Sequence, residues 1–142
     1  ILASALCGRD QVFRRHDCEI GFKDLPVTDA ARDDAIAGGL SQYVHMFVWH
    51  NDEVRGDHPD MTILAHSDIC PNHIWRYRDT PAWGIQGHPE ITAAQAPVWF
   101  NQNRKRMQKD GADVDVLIAS ADEADDAKTM LTRFADVVKT RS

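Results

Sequence analysis

The chain has 142 residues, 43% of them hydrophobic and 27% charged, with a formal net charge of −6. That length suits one domain over residues 1–142 with its own core. The acidic balance argues against a nucleic-acid or anionic-membrane partner, both of which favour basic patches. No apolar run approaches the roughly 20 residues of a membrane span, and the first residues lack the basic start of a signal peptide. Cys7, Cys18 and Cys70 are odd in number and widely spaced, with no C-x-x-C pair. Free thiols in a reducing, cytoplasmic setting are therefore expected, rather than disulfides or a zinc site.

Ile1 to Phe13 reads as the end of a helix running into an extended piece. The chain opens without methionine inside what looks like an element, so an N-terminally truncated domain is expected. A strand pair is predicted over residues 20–27, around Gly21 and Pro26. Thr28 is a suitable N-cap for a helix over residues 29–37, with Asp29 at the positive end of its dipole and Gly38-Gly39 to end it. Residues 43–49 are rich in aromatic and β-branched side chains, a strand pattern, and residues 61–65 and 73–77 give two more. Asp79-Thr80-Pro81 marks a turn before a short strand over residues 83–86.

Beyond this point the period becomes helical. Thr92 with Gln95 forms a capping-box pair opening a helix to about Lys109, with Gly111 past its end. Ser120 with Glu123 repeats the signature, and Ala124, Ala127, Leu131, Phe134 and Val138 then fall on one face. Residues 113–119 fit strand and helix equally. The Arg104-Lys105-Arg106 cluster reads as a solvated helix face. Short strands followed by capped helices make the class α/β, with the parallel strands that would complete such a sheet lying outside the chain.

The chemistry concentrates in Trp83-Gly84-Ile85-Gln86-Gly87-His88-Pro89-Glu90. Pro89 biases His88 towards extended backbone, and in extended chain His88 and Glu90 share a face. A histidine oriented by a carboxylate is the base half of a nucleophilic triad, because the carboxylate fixes the tautomer and stabilises the imidazolium. The pair falls at a strand end before a helix, where sites of open α/β sheets gather. By itself the tripeptide is a weak signal and reads more readily as a strand end with a solvated glutamate.

The stretch resembles the G-x-Q-x-H-P-E signature of class I glutamine amidotransferases, matched at Gly84, Gln86, His88, Pro89 and Glu90. Glu19-Ile20-Gly21-Phe22 resembles the E-I-G-W segment of the GMP-synthase-like branch. Residues 47–52, Phe-Val-Trp-His-Asn-Asp, resemble its F-x-W-H-G-D, and Ala65-His66-Ser67 with Cys70-Pro71 resembles A-x-S-x-x-C-P. The resemblance implies part of an open, flavodoxin-like, three-layer α/β sheet. It also implies a Cys-His-Glu triad that hydrolyses the glutamine side-chain amide and passes ammonia to an acceptor.

On this likeness His88 is the general base and Glu90 its orienting partner, while Trp49, His50 and Asn51 flank the pocket for glutamine or a γ-glutamyl compound. Asn51 stands where the family has glycine, and a turn with positive φ is expected there. Gly87 replaces a bulky aromatic, so the packing behind His88 should be thin. Cys7 lacks the flanking glycines of the nucleophile motif G-x-C-x-G, so the thiol is expected upstream and this chain is expected to be inactive alone. No cofactor is implied. The histidines show no H-x-x-x-H or H-E-x-x-H spacing, so no metal is expected. Three readings remain open: an amidotransferase with its synthetase partner on another chain, a stand-alone γ-glutamyl hydrolase, and a non-catalytic binding module.

Overall fold

The computed structural model describes residues 1–140. A short helix α1 (Leu2–Cys7) ends at Gly8, whose φ of 110° favours a residue without a Cβ. A tight helical turn over Arg9–Gln11 then leads into strand β1 (Val12–Pro26). One long strand thus replaces the pair expected over residues 20–27. Gly21 takes a φ of 127° without breaking the ladder, and Pro26, with no N–H to donate, falls at the strand's end.

Strand β1 runs antiparallel to β2 (Tyr43–Val54), from Val12 opposite Val54 to Pro26 opposite Tyr43, with a register shift between Arg14 and Glu19. A second sheet joins β3 (Met61–Ala65), β4 (Ile74–Tyr77) and β5 (Trp83–Ile85), and a bridge from Val27 to Ala65 links the two sheets. The two-residue strand β6 (Gly87–His88) returns to the first sheet, pairing with Val48 and Phe47 on the other side of β2. The pairings among the described residues are all antiparallel.

Side-chain alternation along β2 builds the layers. Val44, Met46 and Val48 point to a core shared with Leu25, Leu64, Ile74, Ala127 and Met130. Phe47 points the other way, into a core with Phe100, Met107 and Val114. The first sheet is therefore covered on one face by helices α2 (Ala96–Lys109) and α3 (Val114–Ala119). On its other face lie the second sheet and helix α4 (Asp125–Thr140). This is an α/β arrangement.

Residues 29–37 do not form the expected α-helix. A single helical turn covers Asp29–Ala31, and the Thr28 hydroxyl donates to the Ile63 carbonyl at 2.7 Å instead of capping. The cause is Asp34. Its buried carboxylate accepts from the Ile36 and Ala37 amides at 2.9 and 3.1 Å and from the Trp83 indole at 3.2 Å, and it pairs with Arg76 at 3.3 Å. Such local side-chain bonds compete with a helix, and tertiary partners decide the contest.

Helix α2 starts later than the capping-box pair implies. The Thr92 carbonyl accepts from the Gln95 and Ala96 amides in a preceding turn, and Pro97 sits in the first helical turn. Residues 113–119 resolve as helix α3, because the Asp113 carboxylate caps the Asp115 and Val116 amides at 3.1 and 3.2 Å. Before α4, Asp122 rather than Ser120 takes the exposed amide, that of Ala124, at 2.9 Å. The predicted apolar face of α4 divides: Ala124 and Ala127 are buried with Met130, whereas Leu131, Phe134 and Val138 are exposed.

Candidate functional site

His88 sits at the edge of the first sheet, held by the pairing of β6 with Phe47. Its Nδ1 lies 2.8 Å from Glu90 Oε1. An ionised carboxylate only accepts, so Nδ1 carries the proton and Nε2 is left as the basic nitrogen. The hydrogen bond from His88 holds the Glu90 carboxyl below the usual carboxylate range, outweighing its partial burial. The imidazole ring packs at centroid distances of 5.9 Å from Phe47 and 5.6 Å from Trp99. The packing behind it is therefore not thin. A Cβ on Gly87 would come within 2.3 Å of Met46 Sδ, so Met46 already occupies the space a side chain at 87 would need.

A cleft of about 450 Å³ opens beside His88, lined also by Arg14, Trp49, His50, Asn51, Asp52, Trp99, Asn103 and Arg106. The structure thus brings Trp49, His50 and Asn51 to one wall with His88, while Glu90 lines an adjoining pocket with Ile91 and Trp99. Asn51 is not in a turn. Strand β2 continues through it to Val54, and positive φ occurs among the described non-glycine residues only at Arg78 and Ala124. The irregularity expected at residue 51 lies instead in the facing strand, in the shift between Arg14 and Glu19.

Two groups in this wall were missed by sequence reasoning. Asp110 ends α2, where the helix dipole disfavours a carboxylate. Its Oδ2 accepts from the Trp49 indole at 2.8 Å and the Asn51 amide at 3.4 Å, which ties the far end of β2 to the helix. Arg106 lies 5.1 Å over the Trp49 ring, and Arg104 pairs with Asp115 at 2.7 Å. The basic cluster is thus partly engaged rather than wholly solvated. An i, i+2 charge pattern on a helix carries no signal for either contact.

None of the three cysteines lines the cleft among its described residues. Burial raises the thiol pKa of Cys7 and of Cys18, and pushes that of Cys70 up to about 12. All three are therefore protonated at neutral pH, the opposite of an activated nucleophile.

Behind the cleft, Glu19, His50, Cys70 and His73 converge, their nearest ligand-type atoms all within 4.8 Å of one another. His50 Nε2 and His73 Nε2 each lie 3.0 Å from Glu19 Oε2. Burial opposes ionisation of Glu19, yet the hydrogen bonds from His50 and His73 prevail and hold its carboxyl well below the ordinary range. The histidines are 31 and 54 residues from Glu19 in the chain, so no short spacing rule could have found this group.

The fold is that of the glutamine amidotransferases. A glutamine amidotransferase from Thermotoga maritima superposes with a TM-score of 0.68 over 88% of this chain and 53% of its own, at 22% identity. One from Methylobacillus flagellatus gives 0.66 over 90% and 55%, at 19% identity. By sequence the chain is 31% identical over 81 residues to a subunit of the glutamine-hydrolysing GMP synthase of Pyrococcus furiosus, covering 57% of this chain and 42% of the relative. It is 34% identical over 71 residues to the corresponding protein of Halobacterium salinarum, covering 50% and 39%. No protein-family model matches the chain. In fold and in part of its sequence the chain is thus similar to GMP-synthase-like class I glutamine amidotransferases, and the matched region spans less than half the length of these curated relatives.

Proposed function

We propose that His88 and Glu90 are the general base and orienting carboxylate of a Cys-His-Glu triad that hydrolyses the side-chain amide of glutamine or a related γ-glutamyl compound. The observation that carries this is the 2.8 Å His88–Glu90 hydrogen bond at the edge of the cleft. The thiol comes from outside these 142 residues. His88 Nε2 takes its proton, and the thiolate attacks the amide carbonyl. The imidazolium, stabilised by ionised Glu90, returns the proton to the departing nitrogen, which leaves as ammonia. Water, deprotonated by the same nitrogen, then cleaves the thioester and releases the acid.

Trp49, His50 and Asn51 form the wall against which the substrate lies. The acceptor of the ammonia is a substrate of a separate synthetase chain, in line with the naming of the relatives as one subunit of GMP synthase. Labelling with a glutamine-analogue electrophile, followed by mass spectrometry, tests the assignment. The chain alone is expected to form no glutamine-protectable adduct, and the complete natural protein to be labelled at a cysteine outside these residues. Stoichiometric, glutamine-protectable modification of Cys7 would overturn the external thiol. Failure to label any cysteine of the complete protein would overturn the triad.

A further inference from the structure

In the four-residue group behind the cleft, both ring nitrogens of His50 face acceptors. His50 Nδ1 lies 3.0 Å from the Asp52 carbonyl oxygen. A carbonyl can only accept, so this nitrogen carries the ring proton. Nε2 faces Glu19 Oε2 at 3.0 Å, a contact that needs either a second ring proton or a cation. His73, fully buried, brings its own Nε2 to the same oxygen, and its Nδ1 has no partner. A metal ion between these atoms meets that need, because both nitrogens and the carboxylate then act as donors of electron pairs. An Nδ1–H held by a backbone carbonyl, with Nε2 free, is also the tautomer in which proteins present histidine to a metal.

The fourth member completes a ligand set. Cys70 and His73 stand in a C-x-x-H arrangement on the turn before β4, and Cys70 is fully buried. Cys70 Sγ already accepts from the Gln86 side-chain amide at 2.8 Å, the kind of outer contact that supports a bound thiolate. We propose that Glu19, His50, Cys70 and His73 bind one divalent zinc ion. Two imidazoles, one thiolate and one carboxylate form a closed tetrahedral set, which marks a structural rather than a catalytic zinc. Tetrahedral bonds of about 2.0–2.3 Å set ligand atoms roughly 3.3–3.8 Å apart, so the two 3.0 Å contacts to Glu19 open slightly and the wider separations, all within 4.8 Å, close.

The charges balance as well. Zinc binding displaces the Cys70 thiol proton to water, and the ion's two positive charges then meet one thiolate and one carboxylate, leaving the buried centre neutral. The ion would join β1, β2 and the turn before β4 at the back of the wall that carries Trp49 and Asn51. The inference is independent of the proposed triad, since it concerns metal binding by the chain alone.

Cobalt(II), added to the purified chain as a spectroscopic stand-in for zinc, tests it. One equivalent is expected to give the intense visible bands of a tetrahedral ion together with a thiolate-to-cobalt charge-transfer band, and zinc is expected to bleach both. The Cys7→Ala/Cys18→Ala double variant leaves the buried group untouched and should retain the charge-transfer band, assigning it to Cys70. His73→Gln, checked for folding by circular dichroism, should weaken binding by at least the roughly 10–100-fold that even outer partners of a metal are worth. His66→Ala should bind as the parent does. Absence of a tetrahedral spectrum at one equivalent, loss of the charge-transfer band in the double variant, or unaltered binding by folded His73→Gln would each overturn the proposal.

Discussion

Glu90 is more than half exposed, yet its hydrogen bond from His88 at 2.8 Å keeps it ionised below the ordinary carboxylate pH. A folded-state pKa that is lowered means the pair is intact above the ordinary value and is lost only as pH falls through the lowered one. A carbon-13 titration of the Glu90 carboxyl should therefore show a midpoint below that of a free glutamate, moving back up in His88→Ala. An unchanged midpoint in that variant would show that His88 does not hold the carboxylate. Gly84 and Gly87 make a second residue-scale contrast. A Cβ at Gly84 meets the ring of buried Trp75 at 2.2 Å, and one at Gly87 meets the flexible end of Met46 at 2.3 Å. Overpacking costs about 1–3 kcal/mol, with the rigid ring at the upper end. Urea melts should accordingly find Gly84→Ala less stable than Gly87→Ala, and Met46→Ala should relieve the second substitution but not the first.

The elements differ in how far local chemistry decides them. Strand β3 falls on residues 61–65 as read from the sequence, because its β-branched and apolar side chains and its boundaries agree. The helix expected over 29–37 failed because Asp34 is drawn inward by Arg76 and Trp83, partners more than 40 residues away that no local pattern reveals. Helix α3 was ambiguous in hydrophobic period and was decided by its cap. Asp113→Ala should therefore destabilise the chain by about 1 kcal/mol, read from denaturant melts, with α3 amides losing protection from hydrogen exchange first. Asn51 shows the opposite failure: a family turn expected at one residue is realised as a register shift in the strand opposite.

At the scale of the whole molecule, the site was legible wherever its parts are neighbours in sequence. His88 and Glu90 lie on one extended segment, so their contact could be derived from backbone geometry alone. The wall of Trp49, His50 and Asn51 was placed by resemblance, and the structure sets it beside His88. Asp110, Arg106 and the group around Glu19 were illegible, since each depends on the packing of α2 or of the β3–β4 turn against the first sheet. In the proposed triad His88 supplies the base and Glu90 only orients it. Steady-state glutamine hydrolysis by the complete natural protein, compared with its His88→Ala and Glu90→Gln variants, tests this most directly. Hydrolysis should vanish in folded His88→Ala and fall less far in Glu90→Gln, because an orienting group contributes less than the base itself. Near-parental turnover by folded His88→Ala would show that another group serves as the base.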